Sequence, residues 1–239
     1  ISLLASNRDI SISSNLLPEI AWNYGLNLSH CFYLFDREGT VNIDFYRTDF
    51  ENHVVVNMED QGILSFTNLV DYGKNTSFSN ALQFDFSYSV FNNFDMKLAY
   101  KYNHAKSTYP DNNMWDVTEL KEIPLLPKQR GLVNLIYSNS NENWMFDATL
   151  NYVGKSRIPQ HESISKEYSE PFSVINCQIT HKLNDFDFYI GGENLLEYKQ
   201  DNPILNYENP SSDSFDASLI WAPVMGRRIY FGLRYKLPI

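Results

Sequence analysis

The stretch Phe94-Asp95-Met96-Lys97-Leu98-Ala99-Tyr100-Lys101-Tyr102 alternates without a break between large apolar side chains and small or charged ones. Phenylalanine, methionine, leucine and tyrosine occupy one parity, and aspartate, lysine and alanine occupy the other. Successive side chains of a β-strand point to opposite faces of its sheet. The stretch therefore predicts a strand with one apolar face and one polar face.

The same period-two alternation recurs along the whole chain. It predicts strands at 20–34, 41–50, 82–90, 94–102, 132–138, 144–152, 173–183, 186–194 and about 227–237. The connections between these strands alternate in length. Short turns are predicted at Asp36–Thr40, Asn92–Asn93, Asn139–Asn143 and Asn184–Asp185, and long polar loops at about 57–77, 103–129, 155–171 and 196–226.

Two features favour a membrane-spanning barrel over a soluble β-sandwich, which also alternates. The apolar parity is built from large side chains, because 16 Phe, 16 Tyr and 4 Trp make the chain 15% aromatic. Outer-membrane barrels also combine tight periplasmic turns with long extracellular loops. We therefore predict an all-β fold, an antiparallel transmembrane β-barrel in the cell outer membrane. No run of 18 apolar residues predicts a transmembrane helix, and the net charge of −10 argues against a nucleic-acid partner.

The predicted strands number about nine, with the first running inward from residues 1–17 outside the membrane. Phe215–Trp221 resembles a strand, but counting it as spanning would place a long loop on the periplasmic side, so it is assigned to the extracellular loop. A complete barrel with both ends in the periplasm needs an even number of strands. We therefore expect N-terminal strands to be missing from this chain. Arg47 falls on the apolar parity, which a β-bulge or a position beyond the bilayer would explain.

Several phrases, taken in order, resemble the C-terminal barrel region of TonB-dependent receptors, in the variety common among Bacteroidota. They lie at Pro18–Gly25, Phe45–Phe50, Phe78–Gln83, Trp144–Thr149, Tyr189–Leu195, Gln200–Ile204, Phe215–Trp221 and Gly226–Tyr230. The final strand also resembles the family's assembly signal, with Gly232 followed by Leu233, Tyr235 and Leu237. It departs from the usual aromatic ending by continuing through Pro238 to Ile239.

The resemblance implies that residues 1–239 are the C-terminal part of a 22-stranded barrel with a plugged lumen. It also implies energised import of a scarce or bulky nutrient, such as an iron chelate, cobalamin, an oligosaccharide or a peptide. The implied partners are the plug domain and N-terminal strands of the same receptor, TonB, outer-membrane lipid and lipopolysaccharide, the nutrient ligand and a surface lipoprotein. No cofactor, metal or catalytic role is expected.

Two sets of residues are candidates for ligand contact. Aromatic loop residues could stack on a sugar, an aromatic siderophore or a macrocycle. The alternative is that they pack within the loops or belong to the interfacial girdle. These residues are Tyr109, Trp115, Tyr168 and Tyr207. Polar strand residues are expected to face the lumen, where plug contact or pairing with one another competes with ligand contact. They are Asp44, Gln83, Asp85, Lys97, Lys101, Asp147, Asn151, Gln178 and Glu193.

The remaining polar loop residues carry no recognisable motif. The histidines His53, His104 and His161 lack metal-ligand spacing, and we expect them to be solvated. The acidic loop residues are expected to form a solvated surface facing lipopolysaccharide; they are Glu59, Asp60, Asp71, Asp111, Asp116, Glu119 and Glu122. Lys and Arg are scarce in the loops, which speaks against a strongly anionic cargo. Cys31 and Cys177 fall on opposite faces, which predicts two free thiols.

Two alternative functions remain open from the sequence alone. A small, complete barrel hydrolase would need an even strand count and catalytic residues at the extracellular rim, where His104 with Asp111, or His161 with Glu162, could imitate such a site. A soluble all-β surface module, such as a lectin, would stay monodisperse without detergent. The broad apolar faces of the predicted strands argue against this second alternative.

Overall fold

The computed structural model describes residues 8–60, 62–68, 77–111 and 114–237, without the side chains of residues 110–118. Thirteen β-strands occur in these ranges. They are β1 (Asp9–Ile12), β2 (Ile20–Leu34), β3 (Arg37–Asn52), β4 (Val54–Asn57), β5 (Ile63–Asn68), β6 (Phe78–Phe91), β7 (Phe94–Asp111), β8 (Met114–Glu122), β9 (Gln129–Ser138), β10 (Trp144–Val153), β11 (Phe172–Leu183), β12 (Phe186–Glu193) and β13 (Arg228–Tyr235). Among the described residues, no helix is long and apolar enough to cross a membrane.

Nine of the strands pair in one continuous antiparallel order, β13-β12-β11-β10-β9-β7-β6-β3-β2. Each strand therefore lies beside its nearest neighbours along the chain, as in an up-and-down barrel wall. The predicted set of about nine long strands is confirmed, and the stretch 215–221 forms none, only a single bridge between Asp216 and Leu205. β8 lies off this path and pairs with the far end of β7.

Tight turns join the strands at one edge of the sheet, which we call the turn end. Phe35 and Asp36 both have positive φ and form a two-residue hairpin loop, so the predicted turn at 36–40 was too long. Asn93 and Asn184 also adopt positive φ, which asparagine tolerates better than most residues. The opposite edge, from which the long connections emerge, is the loop end.

The strand register separates the two parities into two faces. Leu26 pairs with Phe45, Phe45 with Leu82, and Leu82 with Tyr102, so large apolar side chains continue across neighbouring strands. We call this the aromatic face. Many of its members are open to the surroundings, and Phe231 reaches 88% exposure. An exposed apolar surface of this extent is unfavourable in water but suits a hydrocarbon environment.

The opposite surface, which we call the polar face, carries residues such as Asn27, Asp44, Gln83 and Lys101 in register. The two cysteines lie on different faces. Cys31 shares the parity of Asn27, whereas Cys177 pairs with Ala148 in the row of Phe146 and Leu150. Both thiols are free, as predicted.

Arg47 lies on the aromatic face near the loop end. The register of β3 with β6 runs unbroken from Gly39 to Asp49, so the bulge explanation for Arg47 is wrong. Its guanidinium pairs with Asp49 at 2.6 Å and lies 5.0 Å from the centre of the Phe78 ring. Arg47 thus belongs to a polar band at the loop-end margin of the apolar surface.

The long loops contain more regular structure than the sequence predicted. The predicted loop at 103–129 holds the extension of β7 and all of β8, which together form a hairpin beyond the main sheet. The predicted loop at 57–77 holds β5. This strand pairs antiparallel with β4 and parallel with β1, giving a separate three-stranded sheet at the loop end.

Candidate functional site

The nine polar residues expected to face the lumen all lie on the polar face in register. Several are hydrogen-bonded to other residues of the polar face: Gln83 Nε2 donates to Asp85 at 2.7 Å, and Tyr230 Oη donates to Gln178 at 3.0 Å. Gln83, Lys101 and Asn151 border a shallow recess of about 440 Å³. The full set is Asp44, Gln83, Asp85, Lys97, Lys101, Asp147, Asn151, Gln178 and Glu193.

At the loop end, the long connections pack against one another. Five buried side chains, drawn from three separate connections, form a hydrophobic cluster: Met58, Leu64, Ile158, Leu205 and Leu219. Leu64 is fully buried and Leu219 is 1% exposed. Burial of each such side chain contributes roughly 1.5–3 kcal/mol. We call this packed assembly of residues 8–12, 53–60, 62–68, 155–171 and 196–226 the loop cap.

Arg8 is the central polar residue of the loop cap. Its Nη2 atom lies 2.5 Å from Asp216 Oδ2, and its Nε donates to Ser218 Oγ at 3.0 Å. Its Nη1 atom donates to the carbonyl oxygens of Met58, Asp60 and Ile63. The two charged side chains are 1% and 3% exposed. A buried charge is tolerated when it is paired and its remaining donors are hydrogen-bonded, as here.

A second buried ion pair joins Glu59 to Arg157. Arg157 Nη2 lies 2.6 Å from Glu59 Oε1, and Arg157 Nε donates to the Glu122 carbonyl oxygen at 2.6 Å. The Arg157 guanidinium also lies 5.7 Å from the centre of the Tyr109 ring. Burial raises the pKa of the Tyr109 phenol above its ordinary value. The contacts of Arg157 with Glu122 on β8 and Tyr109 on β7 fix the hairpin of these two strands to the loop 155–171.

A cleft of about 850 Å³ opens between β8 and the loop 155–171. Glu119–Glu122 line one side of it, and Arg157–Glu162 and Ile164–Tyr168 line the other. The Tyr168 ring is flanked by Lys128 and Lys155, whose Nζ atoms lie 5.3 and 4.7 Å from its centre. Burial and the nearby Glu122 carboxylate raise the pKa of Tyr168. The cleft is a concave surface at the loop end, lined mainly by polar and charged residues.

The four aromatic loop candidates do not converge. Tyr168 lines the cleft, whereas Tyr109 is 3% exposed beneath Arg157 and Tyr207 is 62% exposed on a separate turn. Trp115 lies on β8, and its side chain falls outside the described residues.

Basic groups gather around the cleft. Lys106, Lys121, Arg157 and Lys166 all line it, despite the overall scarcity of Lys and Arg in the loops. Acidic groups accompany them, so the cleft is of mixed charge. Its electrostatics therefore do not exclude an anionic cargo.

The expectation of solvated loop histidines was wrong for two of the three. His161 is 6% exposed, and its Nε2 lies 3.1 Å from the Ser214 carbonyl oxygen, which joins two loops of the cap. His53 Nδ1 lies 2.9 Å from Glu19 Oε2, with 15% of the side chain exposed. His104 packs edge-on against Phe78 on the aromatic face. Within the described residues, no three His, Cys, Asp or Glu side chains gather as a metal site would require.

The expectation of a solvated acidic surface also fails in part. The Glu59 side chain is 11% exposed in its ion pair. Glu122 is 18% exposed and lies 2.6 Å from Lys128 Nζ, a hydrogen bond that raises the pKa of Lys128. Glu119, by contrast, is 66% exposed beside Lys121. Asp71 and the side chains of Asp111 and Asp116 lie outside the described residues.

Sequence reasoning missed Arg8, Asp216 and the pairing of Arg157 with Glu59. Local sequence carries little sign of these contacts, because each joins residues far apart along the chain. The sequence shows only that Arg8 and Arg157 lie outside the alternating strands.

Residues 4–195 match the family model described as TonB dependent receptor-like, beta-barrel. The chain belongs to this family. Its members are integral outer-membrane barrels that transport nutrients and are not enzymes. The predicted all-β barrel fold and the resemblance to TonB-dependent receptors in general are therefore confirmed. No similar sequence was found among curated proteins.

Solved receptors share the fold at low sequence identity. The ferric-catecholate import receptor Fiu from E. coli K12 aligns over 92% of this chain at a TM-score of 0.60 and 15% identity. The siderophore receptor PiuA from Acinetobacter baumannii aligns over 91% at 0.60 and 13%. The FrpB iron transporter from Neisseria meningitidis (F5-1 variant) aligns over 97% at 0.58 and 13%. This chain spans 28% of the first two structures and 34% of the third.

Proposed function

We propose that this chain forms the C-terminal wall and part of the extracellular cap of an energised outer-membrane importer. The nine-stranded antiparallel sheet, with one aromatic and one polar face, is the observation that carries the proposal. The aromatic face contacts lipid and lipopolysaccharide, and the polar face lines the lumen and contacts the plug domain. The remaining wall, the plug and the TonB-binding segment belong to the same receptor, and the phrases quoted above favour the variety common among Bacteroidota.

The open sheet supports a shared wall rather than a self-contained barrel hydrolase. In the described part of the chain, β2 and β13 are the two edges of the sheet and do not pair with each other. Unpaired strand edges are unfavourable inside lipid, so further strands are needed to complete the wall. The aromatic face argues equally against a soluble surface module.

We assign cargo capture to the loop end. The cleft beside β8 offers a concave surface of about 850 Å³, within the range of small-molecule sites. Two of the aromatic candidates remain accessible for stacking: Tyr168 in the cleft and Tyr207 on a separate turn. Iron-chelate import is the first cargo to test, since Fiu and PiuA are a ferric-catecholate receptor and a siderophore receptor. A surface lipoprotein would dock on the same loops.

The test is uptake of radiolabelled ferric catecholates and hydroxamates, cobalamin, oligosaccharides and peptides by cells carrying the full-length receptor. We expect uptake of one class, and we expect it to disappear when TonB is deleted. Uptake that persists without TonB would contradict energised import. Cells that carry a receptor with an inactive TonB-binding segment provide the matched control.

A further inference from the structure

Two cations lie directly opposite each other on the polar face. Lys101 of β7 is the cross-strand partner of Arg130 of β9, near the loop end of the sheet. The Cβ atoms of such partners are roughly 5 Å apart, and like charges placed opposite each other are destabilising. Among the described strands, this is the one place where two like charges are direct cross-strand partners. The pair therefore costs stability unless an anion bridges it.

Cations elsewhere on the polar face have carboxylates opposite them. Arg228 of β13 lies opposite Glu193 of β12, and Arg234 lies opposite Asp187 on the same two strands. Both are ion pairs. Within the described part of the chain, by contrast, neither cation of the β7–β9 pair forms an ion pair. The polar face thus balances its charged partners near one edge and leaves an excess of positive charge between β7 and β9.

The neighbouring carboxylates on β3 and β6 do not neutralise this excess. Asp85 is diagonal to Lys101 in the register of β6 with β7, but its Oδ2 accepts a hydrogen bond from Gln83 at 2.7 Å. Asp44 lies one strand further away, opposite Gln83, and accepts a hydrogen bond from Asn27. Neither carboxylate is ion-paired with the two cations.

A recess of about 440 Å³ lies beside the two cations. Both cations line it, together with the side chains of Gln83 and Asn151. Ammonium, guanidinium and amide groups all donate hydrogen bonds, and carboxylate and phosphate oxygens accept them. A guanidinium can also hold such a group through two parallel hydrogen bonds. The recess therefore has both the charge and the donors that an oxyanion needs.

We propose that this recess is a binding site for an oxyanion, a carboxylate or phosphate group that bridges Lys101 and Arg130. The group is supplied either by a side-chain carboxylate from another part of the receptor or by an anionic molecule that enters the lumen. Both sources present the same chemistry to the two cations. The placement of the site inside the lumen rests on the proposed function, whereas the opposition of the two cations follows from the strand register alone.

The sign of one stability change tests the site. In an empty recess, Lys101→Gln removes a repulsion and should raise the heat-unfolding midpoint of the full-length receptor in detergent. In an occupied recess, the same change removes a partner of the bound oxyanion and lowers the midpoint. We expect Lys101→Gln to lower the midpoint by a few degrees in phosphate buffer, relative to Lys97→Gln. Lys97 is the matched control because it lies on the same face of β7 but opposite Asn134.

The same comparison in chloride of equal ionic strength distinguishes the two sources. A midpoint difference that disappears or reverses in chloride assigns the site to an oxyanion from solution. A difference that persists assigns it to a carboxylate of the receptor. Carbodiimide coupling in outer membranes would then join that carboxylate to the Lys101 amine, and mass spectrometry of the cross-linked peptide identifies it.

A midpoint for Lys101→Gln in phosphate that equals or exceeds that of Lys97→Gln would overturn the oxyanion site. If Lys101→Gln does not fold, Arg130→Gln gives the same comparison at an exposed position. These measurements need neither cargo nor TonB. Failure of the oxyanion site and failure of the import proposal therefore remain distinguishable.

Discussion

The guanidinium of Arg157 lies 2.6 Å from the carboxylate of Glu59, and the two side chains are only 7% and 11% exposed. The pair joins the loop between β10 and β11 to the loop between β3 and β6, across several intervening strands. A loop surface that looks polar and solvated in the sequence therefore has a packed interior. Its ionic groups contribute to stability in ways that exposed loop charges do not.

Replacing Arg157 by Met should destabilise the loop cap by about 3–5 kcal/mol, because Glu59 would remain buried and unpaired. The Glu122 carbonyl oxygen would also lose its Arg157 donor. Hydrogen exchange of the backbone amides in residues 155–171 measures this local loss. The matched change Lys166→Met, in an exposed pair, should cost about 0–1 kcal/mol. Equal exchange in both variants would show that the buried pair adds nothing.

The two faces of β7 should respond oppositely to an added charge. Leu98 lies in the middle of the aromatic face, so Leu98→Arg should cost about 2–4 kcal/mol in a bilayer. Ala99→Arg places the same side chain on the polar face, where we expect a much smaller effect. Heat-modifiable migration of the full-length receptor reports the loss of folded barrel. Greater sensitivity at Ala99 would mean that the faces are assigned the wrong way round.

Gly191 and Tyr230 lie opposite each other on β12 and β13, and the tyrosine ring covers the glycine. An alanine Cβ at position 191 would overlap that ring and displace the Tyr230 hydroxyl from Gln178. We expect Gly191→Ala to destabilise the barrel wall by about 1–3 kcal/mol. Gly131→Ala is the control, since its Cβ would meet Tyr152 at an ordinary 3.6 Å. Equilibrium unfolding in detergent compares them, and equal stabilities would contradict this packing.

The stability of the loop cap should fall at alkaline pH through Tyr109, which lies beyond the membrane-spanning part of β7. Burial raises its folded-state pKa above the ordinary value of 10.0. The phenol therefore contributes stability that is fully present below pH 10 and is lost as the pH rises through the folded pKa. Tyrosinate absorbance, compared with that of Tyr109→Phe, detects the delayed ionisation. A Tyr109 that titrates with the exposed tyrosines would contradict its burial.

The strands were predictable because the alternation of apolar and polar residues within each segment is itself the signal for a strand. The alternation in 94–102 specifies which side chains share a face, and asparagine-rich turns such as Asn92–Asn93 mark where the chain reverses. Sequence-neighbouring strands then pair by default, which produced the observed order. The placement of Asp44, Gln83 and Lys101 on one face follows from the same parity. Boundaries were less accurate: β3 begins at Arg37, not at 41, because Phe35 and Asp36 alone complete the turn.

The loop cap was not predictable in the same way. Arg8 and Asp216 are separated by 208 positions, and no periodic pattern relates them. His161 and Glu59 were expected to be solvated because they are polar residues of long loops, and only the partner loops that cover them show otherwise. The extension of β7 into the β8 hairpin was also missed, since the Pro110 region interrupts the alternation.

The sequence alone determined the fold class, the strand order and the two faces, since these depend on side-chain periodicity and short-range turn chemistry. Tertiary structure alone decided which loops meet, which charges are buried and where the large cleft opens. Those features depend on tertiary packing, which brings residues from separate connections together at the loop end. Contacts of this kind arise from the closure of long segments, and alternation within a single strand does not encode them.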